Sequence, residues 1–300
     1  MAVQNSIAQR QQKGSFSTFM ALPAVKQKVY DIIAGDRGDR FITSIITAVG
    51  TNPTLAECDY SSILSAALLG ESLRLSPSPQ LGQFYLVPYN NRKRGIKEAQ
   101  FQLGYKGYVQ LAMRSGQYKD LDVVSVKEGE LVSYDPFTNA AVFNPILNPE
   151  ERSKAKTIGY FAYFKLLNGF EKQLYWSSEQ MKIHAKTYSP GYASDLSKGT
   201  SYTFWSKNFD GMAHKTMLRQ ILSKGAPLSI DMQEAFISDM ASIKDDGQLE
   251  YIDSNENIEI FKEVKEVEQV QEAPSQNIPE SASNETDVIP EDIVAQFFSN

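Results

Sequence analysis

The sequence predicts an α+β fold, a central antiparallel sheet with packed helices and a basic groove, followed by a disordered acidic C-terminal tail. Three observations lead there. Apolar residues recur at helical spacing in the N-terminal third and again after residue 202, and two pairs of strand-like runs are separated by turn residues. Charge is also divided along the chain. Residues 1–230 hold 27 Lys+Arg against 18 Asp+Glu, a balance of +9, whereas 231–300 hold 3 against 18, a balance of −15. The overall −6 therefore hides a basic body, which points to a polyanionic partner. With 42% hydrophobic residues among 300, the chain can build a core without disulfides. A single Cys58 and an N-terminus lacking a signal-like apolar run fit a reducing cytoplasm, and no stretch is long enough to span a bilayer.

Residues 1–20, polar and rich in Gln and Ser, are expected to be a mobile arm. Val25, Val29, Ile32 and Ile33 then give one helical apolar face, Phe41, Ile45, Ile46 and Val49 a second, and Ile63, Ala66, Ala67, Gly70 and Leu73 a third. Asp59 or Ser61 is placed to cap the last. Pro77 and Pro79 end the helical pattern. Residues 83–87 and 99–103 read as paired strands, with the basic tip 90–95 between them. A helix is expected from Tyr105 to Arg114, stopped by Gly116, then a strand near 121–126. Residues 133–156 give no clear pattern. From Thr157 to Trp176 two aromatic-rich runs meet at Asn168-Gly169, a pair suited to a tight hairpin turn. A short helix near 178–186 and a long one near 202–224 complete a body spanning residues 21–240, with 241–300 an acidic linker and tail. Within the tail, Pro290 is placed to start a short helix with Ile293, Val294, Phe297 and Phe298 on one face.

The chemistry is concentrated between residues 74 and 119. Arg74, Arg92, Lys93, Arg94, Lys97, Lys106, Arg114 and Lys119 are opposed by one acid, Glu98, and interleaved with Phe84, Tyr85, Tyr89, Phe101, Tyr105, Tyr108 and Tyr118. Cations that track phosphates, mixed with rings on which bases stack, are what sequence-tolerant single-strand binding requires. The plainer reading of the tip is a solvated charged hairpin. Lys106, Gln110 and Arg114 recur every four residues, with Gln117 beyond, forming one cationic ridge. Asn208, Lys215 and Arg219 form a second on a helix otherwise largely apolar, where the cations need a partner, phosphate in preference to a local carboxylate.

Enzyme chemistry finds less support. Gly104-Tyr105-Lys106-Gly107 is not a phosphate loop, His184 and His214 have no ligands at metal spacing, and Cys58 reads as a packed thiol. Glu128 with Glu130, or Asp245 with Asp246, resemble nuclease carboxylates only in being paired, and read instead as solvated turn and linker residues. No cofactor and no metal is expected.

Residues 75–89, LSPSPQLGQFYLVPY, and 100–107, QFQLGYKG, resemble the RecT family of phage single-strand annealing proteins. Residues 114–117, RSGQ, and 205–219, WSKNFDGMAHKTMLR, continue the likeness, which covers about residues 20–240. The resemblance implies ATP-independent annealing by helical or ring-like homo-oligomers or filaments that bind single-stranded DNA and the annealed duplex. It also implies recombination alongside a partner exonuclease and the host single-strand-binding protein. Its basic motif positions fall on Lys106, Arg114, Lys207, Lys215 and Arg219, and Gln80, Gln83, Gln100, Gln102 and Gln117 add neutral donors and acceptors for phosphate or sugar, beside the Tyr105 ring and the Asn208 of the second ridge. A passive single-strand coat is the alternative, and a Mg-dependent nuclease a third.

Overall fold

A computed structural model of the chain describes residues 14–33, 36–91, 94–239, 241–243 and 249–251. Arg92 and Lys93, the first thirteen residues and the acidic segment beyond 251, with the helix expected after Pro290, lie outside the described residues.

The N-terminal part is helical: α1 (Phe16–Met20), α2 (Pro23–Ile32), α3 (Asp36–Thr51), a 3₁₀ turn (Leu55–Glu57) and α4 (Tyr60–Ser72). Asp59 caps α4, its carboxylate accepting from the Ser62 amide at 3.1 Å. The three apolar faces read from the sequence do turn inward at Val29, Ile33, Phe41, Ile45, Val49, Ile63, Ala66 and Ala67, while Ile32 stays exposed. Helix α1 lies within the stretch expected to be mobile. Its Phe16 and Met20 are buried, and the Phe16 ring meets Tyr60 edge-on at 5.3 Å, so the packed body starts at least by residue 16. Their apolar faces join the sheet residues in one core.

β1 (Phe84–Asn91) and β2 (Ile96–Leu103) pair antiparallel from Phe84↔Leu103 to Asn91↔Ile96, and α4 packs on β2. Helix α5 (Tyr105–Arg114) has the bounds its pattern predicts, and Gly116 behind it adopts φ +68°. β3 (Tyr118–Lys127) then leads into the unpatterned stretch, which holds a small separate pair, β4 (Leu131–Tyr134) with β5 (Ala141–Phe143), and α6 (Pro149–Lys154). β6 (Thr157–Leu166) and β7 (Glu171–Ser177) form the expected hairpin, with Gly169 at φ +89°, and join β3 in the order β3-β6-β7. Tyr160, Ala162, Phe164 and Leu166 alternate into the core. The chain is thus α+β with separate antiparallel sheets, β1-β2 standing apart from β3-β6-β7, in place of one central sheet.

The C-terminal part adds α7 (Ser178–Tyr188), α8 (Pro190–Lys198), α9 (Phe204–Lys207), α10 (Phe209–Gly225), α11 (Ile230–Ser238) and the short pair β8 (Ala241–Ile243) with β9 (Leu249–Tyr251). The single helix expected over 202–224 is broken at Asn208, whose backbone (φ −146°, ψ 74°) leaves helical space so that its side chain can cap α10 through the Gly211 amide at 3.1 Å. Helix α10 packs on all three strands of the larger sheet and on α5, burying Ala213, Met217, Leu218, Ile221 and Leu222.

Candidate nucleic-acid interface

Gly104-Tyr105-Lys106-Gly107 is a packing device. The Gly104 amide donates to the Gln83 carbonyl at 2.8 Å, and Cβ atoms added at Gly104 and Gly107 would lie 2.2 Å from the Gly82 oxygen and 2.1 Å from the Gln83 oxygen. Only residues without Cβ let the start of α5 press on the chain entering β1. This contact fixes the β1-β2 pair against α5, and through α5 against α10.

Between β1-β2, the α7–α8 corner, α9 and α10 lies a cleft of about 450 Å³. Its sheet wall is Val87, Pro88, Tyr89, Gln100 and Gln102; the α10 wall is Met212, Lys215, Thr216 and Arg219. Tyr188 lines the α7–α8 side, and at the α9 side stand Tyr202 and Phe204, 79% and 61% exposed. Large rings left in solvent beside cations and amides suit stacking on unpaired bases.

The cleft floor rests on Asp239, which is fully buried at the end of α11. Its carboxylate accepts from the Leu103 amide at 2.8 Å, the Tyr108 hydroxyl at 2.8 Å and the Arg219 guanidinium at 2.9 Å, and the Lys215 amine stands 3.7 Å away. Arg219 is only 4% exposed, with its guanidinium carbon 6.0 Å from the Phe236 ring centre. The sequence reading preferred phosphate as its partner; the structure supplies a carboxylate from another element, as burial of a cation demands. Lys215 retains 13% side-chain exposure at the cleft surface.

The rim carrying Tyr202 and Phe204 is held by Asp195. This buried carboxylate accepts from Ser206 Oγ at 2.7 Å, the Thr203 and Tyr202 amides at 2.8 and 3.0 Å, and Thr200 Oγ1 at 2.7 Å. The Ser206 hydroxyl first, then the Thr203 amide, hold its carboxyl well below the ordinary range. A depressed carboxyl adds stability above its unfolded value of about 3.9 and loses it as pH falls toward the folded one. The expected outcome is a rim that stays ordered through pH 4 and loosens only in stronger acid. Trp205 fluorescence in a Trp176→Phe background reads this, and loosening already near neutrality would contradict it.

The other sequence candidates are dispersed. Lys106, Gln117, Lys119, Lys207 and Asn208 are exposed, Asn208 being also the α10 cap. Arg114 donates to the Leu73 carbonyl at 2.6 Å and lies 3.7 Å from Asp231, so it ties α5 to the end of α4 and to α11. Arg94 is paired with Glu98, and Lys97 with Glu57. Tyr105 is half-buried, its ring 6.5 Å from His214; burial and then Asp122 raise its hydroxyl, which remains a neutral donor. Arg74 borders a different cleft. Of the two ridges, Lys215 and Arg219 meet Gln100 in the cleft described above, whereas Lys106 and Arg114 are not among its lining residues.

Sequence reasoning passed over Tyr188, Tyr202 and Phe204. The available signal was the pair of rings in Ser201-Tyr202-Thr203-Phe204, directly behind the αL glycine Gly199. Glu130, weighed as a metal ligand, is buried. Burial alone would raise its carboxyl, but the Arg152 side chain at 2.7 Å and the amides of Lys127 and Ile146 outweigh that and hold it below the ordinary range. It anchors α6 to the β3–β4 turn.

Residues 39–269 match the sequence model of the RecT family. The chain is 35% identical over 236 residues to the Bacillus subtilis (strain 168) protein named "Uncharacterized protein YqaK", covering 79% of this chain and 76% of that one. It is 28% identical over 225 residues to Protein RecT of Escherichia coli (strain K12), covering 74% and 79% respectively.

Proposed function

The chain belongs to the RecT family, a family of single-strand annealing recombination proteins, and from that premise we propose that it anneals complementary DNA strands as a homo-oligomer, without ATP and without a catalytic metal. The observation that carries the reading is the cleft in which Lys215, Gln100 and Gln102 face the exposed rings of Tyr202 and Phe204. Cation and amides hold sugar and phosphate while two rings per protomer grip an occasional base, so most base edges stay available to a second strand. Complementarity then supplies the specificity and the driving force. Lys106, Lys119 and Lys207, exposed but outside the cleft lining, remain phosphate contacts in this proposal, and Gln117 and Asn208 neutral ones. Assembly along the strand, the host single-strand-binding protein, a partner exonuclease and the acidic tail as their docking site belong to the same proposal.

The exposed rings also favour a second reading, a passive coat that stacks bases and slows pairing. Adding complementary oligonucleotides one after the other, with and without ATP and Mg²⁺, separates the two. An annealer accelerates duplex formation in every condition and leaves strand length unchanged; a coat retards it, and a nuclease shortens the strands. Tyr202→Ala and Phe204→Ala are each expected to weaken single-strand binding about 5- to 150-fold, from roughly 1–3 kcal/mol per stacked base. Lys215→Ala should reduce the magnitude of the salt slope by about 0.7. Anisotropy titrations across a salt series check both, and unchanged affinities in all three variants would remove the cleft from the binding path.

A further inference from the structure

A second cleft, of about 410 Å³, opens between α3 and the turn that follows α4. Arg37 and Arg40, three residues apart on one helix face, and Arg74 from the turn line it. All three are exposed. The carboxylate at its rim, Glu71, lies 2.8 Å from Arg37, and among the described residues none lies within 4.0 Å of Arg40 or Arg74. Arg74 adopts φ +53°, an uncommon conformation for a residue with a side chain, and its backbone is pinned by the bonds from the Arg74 amide to Glu71 O at 2.8 Å and from the Leu75 amide to Gly70 O at 2.9 Å. Gln83 borders the cleft with its carbonyl fixed by the Ser76 amide at 2.6 Å, leaving its NH₂ group as a donor.

The contrast with the aromatic cleft is chemical. The ring lining this one, Phe41, is buried, so there is no platform for an unpaired base, only planar cationic forks that match phosphate oxygens. The β1-β2 pair links the two clefts: Gln83 borders the arginine cleft and Val87 the aromatic one. Gln83 directly precedes β1, and four residues of extended chain cover about 13 Å, near the ~12 Å across a major groove.

Resting on the annealing reading above, we propose that Arg37, Arg40 and Arg74 form a second nucleic-acid site that grips the phosphate backbone of the paired strand, so that one protomer holds the annealed product by both backbones. The site discriminates by what it lacks. A free strand is held through the aromatic cleft, whereas the duplex formed there acquires the arginine contacts as the complement arrives.

The test uses the full chain carrying Arg40→Ala with Arg74→Ala, both exposed and outside the ion pair of Arg37. Anisotropy on a labelled single strand and on the duplex formed by adding its complement to the loaded protein gives the two affinities, and a donor–acceptor pair on the strands gives the annealing rate. Single-strand affinity is expected to stay within about twofold. Retention of the duplex should fall about tenfold or more, with a salt slope smaller in magnitude by about 1.8 for two lost duplex contacts. The Arg40→Lys, Arg74→Lys variant should recover the slope but only part of the affinity, since lysine lacks the fork. Equal losses on both substrates, or an unaffected duplex, would overturn the proposal while leaving annealing intact. A wild-type protein that binds a single strand without accelerating pairing would instead overturn the annealing reading itself, and this proposal with it.

Discussion

Replacement of Asp239 by alanine is expected to lower the unfolding free energy by about 3–5 kcal/mol, because it leaves a buried guanidinium without its counter-charge. The substitution also removes the acceptor for the Leu103 amide and the Tyr108 hydroxyl, each otherwise satisfied at 2.8 Å. For a domain of this size that corresponds to a fall in Tm of roughly 6–20 °C. Asp239→Asn keeps the shape and one good acceptor but not the charge, and should fall between wild type and alanine. Thermal and urea unfolding followed by fluorescence check the series. An alanine variant within about 1 kcal/mol of wild type would mean that Arg219 finds another partner.

Gly107→Ala is the second large effect. Its Cβ would meet the Gln83 carbonyl oxygen at 2.1 Å, far inside any real contact, and Leu103 Cδ1 at 2.8 Å. A flexible side chain can swing aside; this carbonyl cannot, because it already accepts the Gly104 amide. Overpacking of this kind costs about 1–3 kcal/mol where neighbours relax, and here the upper end or more is expected. The β1-β2 pair must shift away from α5, so single-strand affinity should fall together with Tm. Exposed Gly129, which has open space around the position of an added Cβ, is the control: its φ of +91° makes Gly129→Ala mildly strained, with no effect on DNA binding. Wild-type stability in Gly107→Ala would show that the α5 junction yields.

What the sequence made legible follows the range of the interactions. Helix α5 was readable because its pattern and its stop, Gly116, lie within the same twelve residues, and the β6-β7 hairpin because Asn168-Gly169 fixes its turn locally. The break at Asn208 was not, since the apolar residues of α9 and α10 share a helical period across it and only the capping role of Asn208 betrays the interruption. The strands at and inside the stretch 133–156 have only four and three residues, too short for alternation to register. At the candidate site, the spacing of Lys215 and Arg219 placed both on one stripe of α10, and both do line one cleft. The partner of Arg219 comes from Asp239, twenty residues on and beyond another helix, so no helical wheel could contain it. Arg37 and Arg40 escaped notice because no aromatic residues interleave with them; their meaning depends on Arg74 being folded back beside them.

The position of Asp239 in the chain also sets when the protein acquires its cleft. Its bonds reach back to Tyr108 and Leu103, 131 and 136 residues earlier, and these are the long ties that close the floor beneath Lys215. A ribosome adding about 5–20 residues per second needs roughly 7–27 s to travel from Leu103 to Asp239. During that interval the helices and hairpins of local origin can form, while the strand edges facing the future cleft wait for their last carboxylate. A nascent chain therefore lacks the completed cleft floor until the end of α11 has been made.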